Sequence, residues 1–308
     1  MTAKQIIISL VFVSVLADCF CQQLPKASAG TIIRHENFKS KFTEVRNVDV
    51  WLPPGYNSGR NYAVLYMHDG QMLFDSATTW NKQEWGVDEV VASLIEKNII
   101  RQCIVVGVWN AGRLRHSDYF PQKPFESLPK FQRDSIYKAL RGNGNSVFAA
   151  DINSDNYLRF LVTELKPFID STYSVLPQQQ NTFIAGSSMG GLISMYAICE
   201  YPEVFGGAAC LSTHWPGTFS TENNPLPAAF LQYLRNHLPS PGKHKIYFDY
   251  GTATLDSMYK PYQLQADRIM KDRGYTSEGW VTKEFQGEDH SEKAWNKRLN
   301  IPLTFLLK

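Results

Sequence analysis

The chain has 308 residues, of which 44% are apolar, 31 are basic and 29 are acidic. That length and apolar fraction are enough for one large buried core or for two modest ones. The formal charge of +2 supplies no dense positive field for a polyphosphate, so the composition argues against a nucleic-acid partner.

The amino terminus differs from the rest of the chain. Lys4 precedes an apolar run, residues 6–16, that is too short to span a bilayer comfortably and is followed by polar Gln22. This pattern predicts a secretory signal peptide over residues 1–21, followed by one mature domain over 22–308. The mature protein is therefore expected to be secreted or periplasmic, with no integral membrane span.

The cysteines leave two alternatives open, one in the amino-terminal segment and one in the mature chain. Cys19 could carry a lipid anchor, although Asp18 stands where lipoprotein signals have a small neutral residue, so anchoring is the less favoured reading. Cys103, Cys199 and Cys210 each have apolar neighbours, which predicts buried thiols. A single bridge between the last two stays open because the protein is predicted to be exported.

Along the mature chain, short β-branched or aromatic runs alternate with longer helical patterns, which predicts a mostly parallel sheet with helices on both faces. The predicted strands are residues 45–52, 62–68, 103–109, 182–185, 207–212, 245–250 and 279–285. The predicted helices are residues 86–97, 157–173, 190–200, 262–273 and 292–307. Residues 111–155 show neither pattern and are predicted to form a long loop insertion, typical of a lid or a binding loop.

The stretch FIAGSSMGG, residues 183–191, joins a predicted strand to a predicted helix. Its GSSMG segment fits the pattern G-x-S-x-G with Ser188 at the centre, whereas Ser187 has Ala185 two positions before it. In this turn the serine takes a strained backbone conformation, and glycine is needed on both sides because a Cβ there would collide with the strand or the helix. Ser188 is therefore the candidate nucleophile.

A serine hydroxyl needs a base to take its proton and a carboxylate to orient that base. In the strand–turn–helix setting of this motif, the chain order is serine, acid, histidine. Of the seven histidines, only His290 follows the last predicted strand. Asp256, in the loop after the strand at 245–250, is the preferred acid, and Asp249 within that strand is the alternative.

Negative charge that develops on a carbonyl oxygen requires two N–H donors. The amide of Met189 directly follows the nucleophile, and the amide of Gln71 lies in the turn after the second predicted strand. His68 and Asp69 in that turn could bind a metal together with Asp75, but no second histidine at ligand spacing accompanies them. We therefore predict no metal and no other cofactor.

Five segments of the chain carry a family resemblance. They are YAVLYMHDGQMLFD, RHSDYFP, GSSMGG, DYGTATLD and GEDHSEKAW, in this order. Together they resemble the "Putative esterase" family of α/β-hydrolases, which includes siderophore (enterobactin-type) esterases, feruloyl and acetyl-xylan esterases, and S-formylglutathione hydrolase. The resemblance covers residues 45–307 and implies an α/β-hydrolase fold.

The resemblance also implies site residues. Ser188, Asp256 and His290 would form the triad, with the two amides chosen above as oxyanion donors. One departure concerns the acid, since feruloyl esterases place it sooner after the glycine of this strand, whereas residues 252–255 intervene here. Asp249 therefore stays open as the alternative acid.

The predicted reaction is acyl transfer through an acyl-enzyme, with esters preferred because alkoxides leave more readily than amines. Aromatic side chains suit a sugar face or a feruloyl ring, and arginines suit an anion. The predicted substrate-binding residues are Arg113, Arg115, Tyr119 and Trp215. The predicted substrate is a small-molecule or polysaccharide-linked acetyl or feruloyl ester. A siderophore trilactone esterase and a non-catalytic binding protein of the hydrolase fold are the alternatives.

Overall fold

A computed structural model describes residues 23–308. The predicted signal peptide, and with it the lipid-anchor alternative at Cys19, lies outside the described residues. Eight strands form one sheet in the order β1-β2-β4-β3-β5-β6-β7-β8. They are β1 (Thr31–Phe38), β2 (Arg46–Leu52), β3 (Ala63–His68), β4 (Cys103–Val108), β5 (Thr182–Ser187), β6 (Gly207–Leu211), β7 (Lys245–Gly251) and β8 (Trp280–Phe285).

The mostly parallel sheet predicted from the sequence is confirmed. Strands β3 to β8 pair in parallel, while β2 pairs antiparallel with both β1 and β4. Every residue of β3, β4 and β5 is buried, as expected where helices cover both faces. Strand β1 was not predicted, because its sequence TIIRHENF is largely polar or exposed at the sheet edge and shows no strand periodicity.

Eleven α-helices lie among the described residues. They are α1 (Val87–Glu96), α2 (Arg115–Tyr119), α3 (Gln122–Glu126), α4 (Lys130–Tyr137), α5 (Ser154–Phe160), α6 (Lys166–Thr172), α7 (Met189–Glu200), α8 (Leu226–His237), α9 (Lys260–Asp272), α10 (Glu292–Arg298) and α11 (Asn300–Leu307). The helix predicted over 157–173 is α5 and α6 joined by a π-helical turn at Leu161–Leu165. The helix predicted over 292–307 is divided at Leu299.

Helix α8 was not predicted, although its signal is present in the sequence. Leu226, Phe230, Leu231 and Leu234 recur at helical spacing and are buried in the core. The helix lies next to α9 and α3 on one face of the sheet.

The loop predicted over 111–155 is wrong as a description of local structure, because the segment contains α2, α3 and α4. These helices have only five to eight residues, and Pro121 and Pro129 immediately precede α3 and α4, so no long periodic pattern develops. Phe120 and Phe125 from this segment are buried in the core. The segment is thus packed onto the body of the domain.

The three cysteines beyond the predicted signal peptide are free and buried, so the alternative bridge between Cys199 and Cys210 is wrong. Burial raises the pKa of the Cys103 thiol to about 12. Within residues 23–308, no helix has the length and apolar character needed to cross a bilayer.

Candidate active site

Ser188 occupies the sharp turn between β5 and α7. Its backbone has φ 57° and ψ −121°, a conformation that residues with a Cβ rarely adopt. A Cβ added at Gly186 would lie 2.8 Å from the backbone of Gly190, and one added at Gly191 would lie 2.8 Å from the carbonyl oxygen of Leu211. The glycines therefore permit a turn that places Ser188, half-buried, at the carboxyl edge of the sheet.

His290 and Asp256 meet at the same edge. The Nδ1 atom of His290 is 2.5 Å from Oδ1 of Asp256. The other carboxylate oxygen of Asp256 accepts hydrogen bonds from the Gly251 amide at 2.6 Å and from the Ser212 hydroxyl at 2.5 Å. Asp256 is fully buried, and these donors hold its carboxylate in one orientation.

The extra residues before Asp256 hold the loop that carries His290. The amides of Thr252 and Ala253 both donate to the carbonyl oxygen of Glu288 at 3.1 Å. The longer loop before Asp256, which distinguishes this chain from feruloyl esterases in the sequence analysis, therefore packs against the loop that carries His290. The spacing still brings Asp256 to His290.

Asp249, the alternative acid, has a different partner. Two nitrogens of Arg298 donate to its carboxylate at 3.0 and 3.1 Å, and both residues are buried. Burial raises the pKa of Asp249, although the charge and hydrogen bonds of Arg298 oppose that shift. His290 is therefore hydrogen-bonded to Asp256, whereas Asp249 forms a buried ion pair with Arg298 beneath the site.

The two predicted oxyanion donors lie in turns at the ends of neighbouring strands. Gln71 belongs to a short 3-10 turn after β3, and β3 pairs directly with β5, which leads to Ser188. Met189 is the first residue of α7, so its N–H has no acceptor within the helix and lies at the positive end of the helix dipole.

A cleft of about 440 Å³ opens at this edge of the sheet. Its lining includes Ser188, His290, Gln71, Arg115, Glu292 and Trp80. Serine, histidine and the turn that carries the Gln71 amide therefore share one solvent-accessible space.

Arg115 lies in the cleft, but its charge is compensated there. Its guanidinium donates to both carboxylate oxygens of Asp69, at 2.6 and 2.8 Å, and Asn110 donates to the same carboxylate at 2.7 Å. Burial alone would raise the pKa of Asp69, but the charge and hydrogen bonds of Arg115 lower it below its ordinary value. Arg113 is exposed and lines a separate cavity with Lys41.

Tyr119 and Trp215, which the sequence predicted to bind substrate, are enclosed in the core and do not line this cleft. Both side chains are 0% exposed. The Tyr119 ring packs against His68, with 5.1 Å between centroids, and the indole of Trp215 donates to Gln263 at 3.0 Å. Large aromatic rings with a satisfied polar atom are stable in the core, and the sequence could not show that these two are enclosed.

Several residues that line the cleft were not identified from the sequence. Trp80 is 83% exposed at the cleft. Next to it, Asn81 donates to Glu292 at 2.8 Å, and the Gln83 side chain accepts from the amide of Lys293 at 3.3 Å. The segment lies shortly after the turn with Gln71, but its residues have no motif of their own.

An eight-stranded, mostly parallel sheet with a strained serine at a strand–helix turn and a histidine–aspartate pair at the same edge defines the class of α/β-hydrolase esterases. Residues 40–305 match the family model described as "Putative esterase", and the chain belongs to that family. This confirms the resemblance, the fold class and the esterase class predicted from the sequence.

Three similar proteins share 16–22% sequence identity with this chain. "Uncharacterized protein YbbA" of Bacillus subtilis (strain 168) is 22% identical over 284 residues, which are 90% of this chain and 96% of that protein. A solved ferulic acid esterase has a TM-score of 0.62 at 18% identity, covering 90% of this chain and 98% of its own. The enterobactin esterase FES of Shigella flexneri has a TM-score of 0.60 at 16% identity, covering 93% of this chain and 61% of its own. At these identities the structural matches demonstrate a shared fold.

Proposed function

We propose that the protein is a secreted serine carboxylic-ester hydrolase in which Ser188, His290 and Asp256 form the catalytic triad. The observation that carries the proposal is the 2.5 Å hydrogen bond between His290 and Asp256 in the cleft that also contains Ser188. The amides of Gln71 and Met189 are the proposed oxyanion donors.

In this mechanism, Oγ of Ser188 attacks the ester carbonyl carbon while its proton passes to Nε2 of His290. Asp256 accepts the Nδ1–H hydrogen bond, which selects the tautomer with a free Nε2 and stabilises the imidazolium. The two amides stabilise the negative oxygen of the tetrahedral intermediate. His290 then protonates the departing alkoxide, and a water molecule cleaves the acyl-enzyme by the same steps in reverse.

We further propose a neutral, carbohydrate-linked acetyl or feruloyl ester as the substrate. Arg115 is neutralised by Asp69, and Glu292 adds a carboxylate to the lining, so the cleft has no uncompensated cation for an anionic ligand. The exposed ring of Trp80 and the side-chain amides of Asn81 and Gln83 offer a flat apolar face beside hydrogen-bonding groups.

A siderophore trilactone is the second candidate. Arg115 at the cleft favours it, because a guanidinium could contact catecholate oxygens, and a neighbour with the same fold is an enterobactin esterase. The engagement of Arg115 with Asp69 argues for the carbohydrate ester instead.

The test uses the purified mature protein with acetylated xylan, methyl ferulate and an enterobactin-type trilactone, alongside Ser188→Ala. We expect turnover of a carbohydrate or feruloyl ester that the variant lacks. Preferred turnover of the trilactone would favour the second candidate. Failure of a fluorophosphonate probe to label Ser188 would instead favour a non-catalytic binding protein.

A further inference from the structure

Ser212 lies directly after β6 and contacts the proposed catalytic acid. Its hydroxyl oxygen is 2.5 Å from Oδ2 of Asp256, and the residue is fully buried. The other carboxylate oxygen, Oδ1, is the one that binds Nδ1 of His290. Ser212 and His290 therefore hold the same carboxylate from opposite sides.

Two donors fix the direction of the hydrogen bond between Ser212 and Asp256. The indole nitrogen of Trp295 and a guanidinium nitrogen of Arg298 each lie 3.0 Å from Oγ of Ser212. Both groups can only donate, so they occupy the two lone pairs of the hydroxyl oxygen. The single proton of Ser212 is left for Asp256, whose carboxylate can only accept. Ser212 is therefore the donor in this hydrogen bond.

Helix α10 supplies both of these donors. Trp295 and Arg298 are three residues apart in α10, so they lie on one face of the helix. The ring of Trp295 also meets that of His290 edge-on, with 5.0 Å between centroids. Arg298 is itself fixed by its buried ion pair with Asp249. The helix that follows His290 in the chain thus orients the hydroxyl of Ser212.

The backbone of Ser212 has a strained conformation. Its φ is 42°, in the left-handed region where a Cβ is unfavourable and glycine is preferred. Asp249 holds the residue there, because the Ser212 amide lies 2.9 Å from the carbonyl oxygen and 3.1 Å from Oδ1 of Asp249. Glycine at this position would relieve the strain but would lack the hydroxyl. Serine in this conformation therefore points to a role for its side chain.

We propose that Ser212 is a positioning residue that acts on His290 through Asp256. This inference rests on the proposed triad, and Ser212 keeps its own proton throughout the reaction. Its hydrogen bond holds Asp256 so that Oδ1 faces Nδ1 of His290, which leaves Nε2 free for the proton of Ser188. The bond also draws negative charge toward Oδ2 and away from the oxygen that faces His290. Without it, the carboxylate stabilises the imidazolium more strongly, and the unprotonated base is available only at higher pH.

The test compares Ser212→Ala with Thr213→Val, since each change deletes one buried hydroxyl from the same turn. The hydroxyl of Thr213 donates to the backbone carbonyl oxygen of Cys210 at 3.1 Å, and the residue is equally enclosed. Ser212→Gly is added because it deletes the hydroxyl and relieves the positive φ, which separates loss of function from loss of stability.

The measurements are kcat and KM for p-nitrophenyl acetate, the pH dependence of kcat/KM and the melting temperature. Rates are expressed per active site titrated with a fluorophosphonate. The charged and titratable groups around the histidine–aspartate pair are the same in all these variants. They include Arg298, Asp249, Tyr259 and His214.

We expect both Ser212 variants to lower kcat about tenfold with KM nearly unchanged, as for the loss of one hydrogen bond to a charged group. The acid-side midpoint of their kcat/KM profiles should rise by about 0.5 pH unit. Thr213→Val should retain the wild-type kcat and midpoint even where its melting temperature falls equally. A wild-type midpoint in both Ser212 variants, or an equal change in Thr213→Val, would overturn the inference and leave the triad intact. Turnover that survives in Ser188→Ala would instead remove the proposed function itself.

Discussion

The hydroxyl oxygen of Thr254 accepts a hydrogen bond of 2.9 Å from the backbone amide of His290. Thr254 has φ 51°, so the loop before Asp256 bends sharply to make this contact. The residues between Gly251 and Asp256 therefore form hydrogen bonds to the loop that carries His290. The proposed base is held both through its ring, by Asp256, and through its backbone, by Thr254.

Thr254→Val keeps the side-chain shape but removes this acceptor. We expect a loss of about 1 kcal/mol in the free energy of unfolding and a severalfold lower kcat with KM nearly unchanged, because His290 would be less well held. Steady-state kinetics and urea unfolding measure both effects. Wild-type kcat in the variant would show that the backbone contact does not position the base.

Ser188→Ala should reduce ester hydrolysis by about 10⁴-fold or more while the fold is retained. Ser188→Gly should be equally inactive but more stable than Ser188→Ala by about 1 kcal/mol, because glycine tolerates φ 57° without a Cβ penalty. The rate of p-nitrophenyl acetate hydrolysis measures the loss of activity, and the midpoint of urea unfolding measures the difference in stability. An alanine variant as stable as the glycine variant would mean that the turn stores no strain at Ser188.

Substitution of Asp256 should mainly reduce activity, whereas substitution of Asp249 should mainly reduce stability. Asp256→Asn should lower kcat by about 10⁴-fold with little change in folding, because the amide favours the wrong tautomer of His290. Asp249→Asn should remove the nearer ion-pair partner of the buried Arg298, leaving only the carboxylate of Asp256 at 4.0 Å, and cost about 3 kcal/mol of stability. Activity is to be measured per folded molecule at a temperature where both variants are native. The reverse pattern would make Asp249 the acid.

Trp80→Ala should lower kcat/KM for the preferred carbohydrate or feruloyl ester while turnover of p-nitrophenyl acetate stays near wild type. The ring is 83% exposed, so its loss should change stability by less than about 0.5 kcal/mol. Phe131→Ala is a matched control, since that ring is 71% exposed and lines a different cavity. Equal effects of the two variants on the natural ester would exclude a substrate contact by Trp80.

Buried neutral histidines should make the protein sensitive to acid. Burial lowers the pKa of His68 and of His116 to about 3, whereas the unfolded chain takes up these protons near pH 6.5. Their contribution to stability is therefore complete above about pH 6.5 and is lost as the pH falls toward 3, by up to about 1.4 kcal/mol per pH unit for each histidine.

His116→Leu removes one of these titrations. The variant also loses the hydrogen bond to the carbonyl oxygen of Gly217, so it should be less stable at neutral pH. Between pH 6 and 4, however, its free energy of unfolding should fall less steeply than that of the wild type. Parallel pH profiles from urea unfolding would mean that His116 is not held neutral in the folded state.

Local patterns in the chain were sufficient to predict the strands that lead to the site and the strand–turn–helix at Ser188. Buried parallel strands are apolar runs, and a turn this tight requires glycine, so both leave a signal among neighbouring residues. Strand β1 and the short helices of the 111–155 segment left no such signal, because an edge strand is half-exposed and a helix of one or two turns is too short to show a period.

The sequence by itself determined the class of fold, the sharp turn that carries Ser188 and the choice of His290 as the proposed base. Only the tertiary structure decided that Asp256 rather than Asp249 meets His290, that Arg115 is neutralised by Asp69, and that Trp215 is enclosed while Trp80 is exposed. These outcomes depend on which side chains from distant segments share one space. Burial and charge pairing depend on how distant segments are arranged in three dimensions, so residues that are adjacent in the sequence do not reveal them.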